Sequence, residues 1–360
     1  MGKRTDVPTK MCCIICETVA TARTLFGDLL LSPLELTGCH PAVRSAQYLS
    51  LAIARLYLLA VRKVYKSPEY SGSAMTSVAI VKGTQPSKMT GRALDLIGAE
   101  KLVGPGDSVL IKPNYVAAKH PSTGVTTDSA VIEALIQFTK RVGAKDIIVG
   151  EGGSGSTERA FDVVGIRDVT ARQKVKLIDL NQDPRVTVRV PQPLALAEVG
   201  IAETALKSTC IINVPKLKVH HMALATLSMK NLMGTILPKS IMHSQINEKI
   251  VDLASLFKEE VKLSVIDGLV GSEIDEVSGT PVKMDLIIAG QDMVAVDTVG
   301  AMVMGIDPGK AKYLRLAEER GLGVSNTEEI DIRGENIDDV KRGFRLPPTL
   351  KRLLYHAMKI

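Results

Sequence analysis

Residues 146–156 read DIIVGEGGSGS, a short apolar run that breaks into a glycine-rich loop and passes into a helix from about Thr157. That is a strand–turn–helix unit, and the same rhythm repeats on both sides of it. Upstream, Ser77–Val81 reads as a strand, Thr90–Ile97 as a helix and Ser108–Ile111 as a strand. A helix over Ser129–Val142 follows, stopped by Gly143, and Asp128 stands where a side chain would cap its free N–H groups. Downstream, Val175–Leu180 is a strand, and Thr187–Val190 opens an irregular section of antiparallel character. Cys210–Val214, Leu263–Ile266 and Leu286–Ala289 are unbroken apolar runs of the kind buried on both faces. Helices over Val294–Met304 and Lys312–Arg320 and a last strand at Glu329–Arg333 complete the pattern. The alternation predicts an α/β domain, with a mostly parallel or mixed sheet and helices on both faces.

Composition agrees. The 360 residues are 45% hydrophobic and 23% charged, which excludes wholesale disorder. Aromatic residues make up 3% and Trp is absent, so stacking of bases on exposed rings is not expected. Net charge is +6, but residues 1–74 hold nine basic and five acidic side chains, leaving +2 for the remainder. No domain-wide basic field is present, and nucleic acid is not an expected partner.

The rhythm begins near Met75. Residues 1–74 are expected to be an appended N-terminal segment, partly helical or disordered, or an upstream extension from a mis-assigned start. Residues 75–348 form the α/β domain, and 349–360 form a basic tail. Cysteines fall at 12, 13, 16, 39 and 210, without the regular spacing of an iron–sulfur site, so no cluster is expected in this chain. Cys210 lies in an apolar strand and reads as a small hydrophobe. The most apolar stretch, Ala46–Val61, is short and interrupted by Arg55, so no membrane span is expected. A reducing, cytoplasmic setting is the default.

Ligands of open α/β sheets collect beyond the carboxyl ends of the strands. There the chain places Lys112-Pro113-Asn114, Gly150–Gly155, Pro215–His221 and Asp267-Gly268. A lysine abutting a buried strand is expensive unless it is paired, so Lys112, Lys216 and Lys218 are either matched by internal carboxylates or await an anion. Asn114, Lys230 and Asn231 are candidates to orient that anion; the last two lie on a helix expected within the apolar segment Leu227–Leu237, with exposed-face residues as their other reading. Gly152 and Gly153 sit in a G-x-G-x-x-G loop, with Asp179 beyond it, which could cradle an anion, bind a dinucleotide or simply turn the chain. His220 is a candidate acid or base that titrates near neutrality, with Asp267 as its partner. His220, His221, His243, Asp252 and Asp267 also offer nitrogen and oxygen donors for a metal ion, His220 and Asp267 foremost. Adjacent His220 and His221 are expected to point apart.

In this order, the segments 109–114 (VLIKPN), 126–134 (TTDSAVIEA), 211–220 (IINVPKLKVH), 229–234 (MKNLMG), 250–253 (IVDL), 265–268 (VIDG), 279–281 (GTP) and 294–297 (VAVD) resemble the family called domain of unknown function 362. The resemblance runs from about Val78 to Pro348. Some members of that family carry a fused ferredoxin-like module, implying redox work for those members; this chain lacks the module's cysteines. A departure falls at Gly271–Ser278, where relatives are richer in glycine and this chain has Glu273, Asp275 and Glu276. The arrangement is also similar, at fold level, to the catalytic domain of nickel-dependent lactate racemase. The first expectation is an enzyme acting on a small anionic, carboxylate-type metabolite by proton or hydride transfer, with a metal ion among the candidate cofactors. The alternatives are a non-catalytic metal, iron–sulfur or electron-transfer accessory factor with a ferredoxin-like partner, and a dinucleotide-dependent oxidoreductase.

Overall fold

The computed structural model describes residues 75–348. The readings placed on 1–74 and 349–360, four of the five cysteines among them, lie outside the described residues.

In chain order the described residues form β1 (Thr76–Lys82), α1 (Pro86–Ile97), β2 (Ser108–Lys112), α2 (Ser129–Arg141), β3 (Asp146–Glu151), α3 (Thr157–Val164), α4 (Ile166–Gln173) and β4 (Lys176–Asp179). Then come β5 (Arg185–Arg189), β6 (Glu198–Ala202), α5 (Glu203–Lys207), β7 (Cys210–Asn213), β8 (Lys216–His220), β9 (Leu224–Thr226), α6 (Ser228–Asn231) and β10 (Ile236–Leu237). The remainder is α7 (Ile246–Ser255), β11 (Val261–Glu273), β12 (Thr280–Gly290), α8 (Met293–Val303), α9 (Lys312–Glu319), β13 (Ile330–Gly334) and α10 (Ile337–Val340).

The principal sheet runs β13-β1-β12-β11-β7-β2-β3-β4, with β8 on β11 and β9 on β8; β10, β6 and β5 form a small antiparallel sheet. It is mixed. β11, β7, β2, β3 and β4 are parallel, whereas β12 is antiparallel to both β11 and β1. Alternation along β2 shows why helices are needed on both faces. Val109 and Ile111 enter one core with α1, α2, α3 and α4, and Leu110 enters the opposite core with α7 and α9. Each fully buried Ile or Leu contributes about 1.5–3 kcal/mol relative to exposure. Helix α2 begins where the Asp128 side chain accepts the Ala130 N–H at 2.8 Å, and Gly143 beyond its end has φ 79°, a value that favours glycine.

Two expectations need correction. Residues 216–220 are not an open rim loop: β8 is a buried strand that resumes after Pro215 and pairs with β11, with Lys216 opposite Asp267. The helix expected around Leu227–Leu237 is one turn, α6, followed by a tighter 3-10 turn at Leu232–Thr235 and then β10. The Leu and Met periodicity there reflects burial on all sides rather than a longer helix. Strands β11 and β12 are also longer than their apolar cores, because their outer halves form an antiparallel hairpin from Val270↔Lys283 to Glu273↔Thr280.

Candidate functional site

The parallel strands β2 and β3 end side by side in Lys112 and Glu151, whose Nζ and Oε2 lie 2.8 Å apart with almost no exposure to water. The other oxygen of Glu151 accepts the Gly152 N–H at 2.8 Å. Likewise Lys216 Nζ sits 2.7 Å from Asp267 Oδ2. Asp267 further accepts the Asp128 N–H at 2.7 Å and the Leu269 N–H at 2.9 Å. Of the two readings of Lys112 and Lys216, the structure shows the paired one: strand pairing delivers an internal carboxylate to each, which offsets the cost of burying the ammonium. Asp267 is bound up in the same way, and the structure partners it with Lys216 rather than with His220. Asp252 is a latch, accepting the N–H groups of Leu194, Ala195 and Leu196 and the Arg320 guanidinium.

Lys218 differs. Its Nζ donates to two neutral oxygens, Asn114 Oδ1 and the Val125 carbonyl, each at 2.9 Å. Asn114 is held in turn, donating through Nδ2 to Asn231 Oδ1 at 2.8 Å, while Asn231 donates to Asn213 Oδ1 at 2.8 Å. Burial and the neighbouring Lys230 ammonium push Lys218 down to about 7, with Glu276 and Glu151 opposing and Lys216 adding to the depression. Lys230 makes no hydrogen bond or ion pair within the described residues, and burial lowers it to about 8 against the attraction of Glu276. It is presented by α6, whose first N–H groups, Ser228 and Met229, are fixed by Asp297 at 2.6 and 3.1 Å. Burial raises Asp297 to about 7.

A third cation, Lys239, was not singled out from the sequence. Its Nζ donates to Asn181 Oδ1 at 2.6 Å and to the Ile236 carbonyl at 3.2 Å, and burial lowers it to about 8. Lys218, Lys230 and Lys239 line one cavity of about 70 Å³ together with Glu151 and Glu276.

His220 closes β8, and the chain turns immediately after it. Its Nδ1 accepts the N–H groups of Met222 at 3.1 Å and Ala223 at 3.2 Å. This network assigns the ring proton to Nε2. Burial, then the charges of Lys230, His221, Lys218 and His243, hold His220 well below the usual histidine range. The expected acid or base titrating near neutrality is thus a fixed neutral N–H donor. Nor do the two histidines point apart: the turn after β8 breaks the strand alternation and stacks the rings at 4.7 Å and 24°.

Both rings face Glu276. Its Oε1 lies 2.5 Å from His221 Nδ1 and 3.8 Å from His220 Nε2, and its Oε2 is buried without a hydrogen-bond partner. Burial pushes this carboxyl up, but the hydrogen bond and charge of His221 outweigh that, leaving it below the ordinary carboxylate value. Glu276 lies just beyond β11, in the acidic segment with Glu273 and Asp275, and that acidic segment was the signal that could have found it.

One ligand atom from each of His220, His221 and Glu276 falls within 4.8 Å of the others, a geometry that could gather a metal ion. The chemistry of the donors fits a metal poorly. Metal-bound histidine normally donates through its second nitrogen, whereas His220 accepts two amides there and carries its proton on the atom that would have to bind. Lys230 adds positive charge beside it.

The glycine loop has another use. Gly152 and Gly153 give their N–H groups to Glu151 Oε1 and Thr157 Oγ1, and Ser154 gives its own to the Val116 carbonyl. None of these amides is left for a pyrophosphate. A Cβ on Gly152 would stand 2.5 Å from the Gly234 carbonyl and one on Gly153 2.7 Å from the Tyr115 carbonyl, so close packing explains both residues. Cys210 is buried, and burial pushes its thiol up to about 12, in keeping with a small hydrophobe.

A family model matches residues 109–302, more than half of the chain. The chain belongs to the Domain of unknown function (DUF362) family. The DUF362 span contains every cleft residue named above, from Lys112 to Glu276. A thylakoid-associated protein of Synechocystis sp. is 24% identical over 239 residues, 64% of this chain and 73% of that protein. Among solved structures, the lactate racemase apoprotein of Thermoanaerobacterium thermosaccharolyticum is similar at 14% identity and a TM-score of 0.39 over 60% of this chain. The match spans about half of that structure, 54%. Among the described residues no helix is long and apolar enough to cross a membrane.

Proposed function

We propose that this DUF362 protein is an enzyme that binds a small carboxylate-bearing metabolite in the cleft beyond β2, β3 and β8 and moves a proton next to its carbonyl group. One observation carries the reading: Lys218, Lys230 and Lys239 share a small cavity without an ion-pair partner, opposite a carboxylate oxygen of Glu276 that has no hydrogen-bond partner. A buried ammonium without a counterion is costly, and an anionic ligand relieves that cost. Lys230 and Lys239 attract the carboxylate, Asn231 and Asn114 hold Lys218 in register, and Glu276 is the base. Neutral His220 offers its Nε2 proton to a carbonyl oxygen without itself ionising, a role suited to an imidazole held below its usual range. Asp267, Lys112 and Lys216 keep the strand ends in place. At about 10–15 Å³ for each water-sized group, the cavity has room for roughly five to seven of them, so the substrate is small.

The test is exchange of carbon-bound protons with deuterated solvent, followed by NMR for lactate, malate and pyruvate with the full chain. Glu276→Gln is expected to slow exchange by about 10²-fold or more, in line with loss of a general base. Lys230→Met should raise the ligand concentration required. Exchange at an undiminished rate in Glu276→Gln refutes the assignment, as does the absence of any thermal stabilisation by these carboxylates.

A further inference from the structure

The DUF362 rim carries three lysines in buried strands, and they are not equivalent. Lys112 and Lys216 each face a carboxylate at 2.8 and 2.7 Å. Lys218 is 1% exposed, yet its two hydrogen-bond acceptors are an amide oxygen and a backbone carbonyl. Two donors on a neutral amine match two neutral acceptors, and the position left over is a lone pair. Lys218 lines the same cavity as Lys230 and Glu276. An ammonium in that position would have no counterion in contact and a second cation close by.

We propose that the Lys218 amine is a nucleophile that forms a Schiff base with the carbonyl of a small α-oxo carboxylate. This inference rests on the anion-binding reading above and names its substrate class. Lys218 nitrogen forms a bond to the carbonyl carbon, giving a carbinolamine. Its hydroxyl then leaves as water with a proton from the Lys230 ammonium. The products are a protonated imine on Lys218, one water carrying the former carbonyl oxygen, and neutral Lys230, so charge is conserved. The substrate carboxylate stays against Lys239. The positive imine acidifies the neighbouring C–H, and Glu276 Oε2 stands in the same cavity to take that proton. A desolvated lysine beside another cation is a recognised way to obtain a free amine. The charged groups around Lys218 are Lys230 and Lys216, which favour the neutral form, and Glu276 and Glu151, which oppose it. With the amine at about 7, Lys218 offers on the order of 10³ times more free base at neutral pH than an ordinary exposed lysine.

The experiment is reductive trapping on the full chain. The protein is treated with glyoxylate or pyruvate and borohydride at neutral pH, and peptide mass spectrometry locates carboxymethyl- or carboxyethyl-lysine. The expected result is modification concentrated at Lys218, at least about 10-fold above any exposed lysine and competed by excess lactate, which carries the carboxylate but no oxo group. Lys218→Arg must lose the adduct, and the wild-type measurement does not depend on that variant folding. Modification spread evenly over surface lysines, or concentrated at Lys230, overturns the proposal. If lactate stabilises the fold while neither oxo acid is trapped, the covalent step fails and anion binding stands. If neither lactate nor the oxo acids bind, both readings fail.

Discussion

Replacing Asp267 by Asn should be more damaging than replacing its partner Lys216 by Met, and the geometry says why. Asp267 receives three donors: Lys216 Nζ and the Asp128 N–H on Oδ2, and the Leu269 N–H on Oδ1. An asparagine has a single acceptor oxygen. In either orientation its amide N–H₂ group confronts a backbone N–H, and Lys216 is left buried without a counterion. Loss of one partner of such a pair costs about 3–5 kcal/mol. Lys216→Met leaves the carboxylate with both backbone amides and substitutes a chain of similar length, so its cost should fall to about 1.5–3 kcal/mol, the worth of a hydrogen bond to a charged group. In the double variant no ammonium remains to be stranded, and the two effects should fail to add by about 0.5–3 kcal/mol. Urea unfolding of the full chain and the three variants, followed by circular dichroism, measures all of these terms. Against a total stability of about 5–15 kcal/mol, the Asp267→Asn loss is readily visible. A loss below about 1 kcal/mol, or additivity within about 0.5 kcal/mol, would refute the assignment of this pair to the scaffold.

Lys218 makes stability depend on pH in a predictable direction. Its folded value near 7 lies below the roughly 10.4 of an unfolded lysine, so the unfolded chain binds more protons between those limits, and stability should rise with pH across that window by roughly 5 kcal/mol. Lys218→Met should flatten that rise in pH-dependent unfolding, and an unchanged slope would show that Lys218 is charged in the fold. Gly234→Ala would place a Cβ 2.0 Å from Glu151 Oε1 and 2.6 Å from Lys112 Nζ, so it should cost at least about 1–3 kcal/mol as an overpacked site and weaken carboxylate binding; a variant as stable as wild type in urea would show that the cleft floor yields.

Much of the fold was legible because its signals are local. The apolar runs at Val109–Ile111 and Ile211–Ile212 need burial on both faces, and Asp128 and Gly143 mark the two ends of α2. Strand β8 was not legible. Its sequence, KLKVH, alternates charge with apolarity like a half-exposed strand, yet all five residues are buried. Only long-range pairing with β11 supplies the carboxylate that lets Lys216 enter the interior. The site was legible to a similar depth. Rim position after each strand pointed to Lys112, Lys216, Lys218 and His220, but could not sort paired lysines from unpaired ones. The pairing residue is 39 positions away for Lys112 and 51 for Lys216. Lys239 follows the two-residue β10, and Glu276 follows the outer half of β11, beyond its apolar run, so the rim rule passed over both.

That sorting decides what the cleft can do. If every ionisable group around the cavity were charged, Lys112, Lys218, Lys230 and Lys239 would face only Glu151 and Glu276. Since Lys112 and Glu151 satisfy each other, three cations are left for one carboxylate around a cavity of about 70 Å³. Such an excess is relieved in two ways: the lysines release protons, or an anion enters. Their lowered values, about 7, 8 and 8, are the first way, and they mean that the two are linked. An entering carboxylate holds the positive charge on Lys230 and Lys239, and a carbonyl on the same ligand consumes the free amine of Lys218. A cleft built only to bind anions would gain nothing from a neutral amine at Lys218, and the rim lysines that only hold the scaffold, Lys112 and Lys216, each contact a carboxylate. The absence of a contacting carboxylate at Lys218 weakens resting charge in exchange for a reactive amine, which is the reason to read the DUF362 cleft of this chain as catalytic.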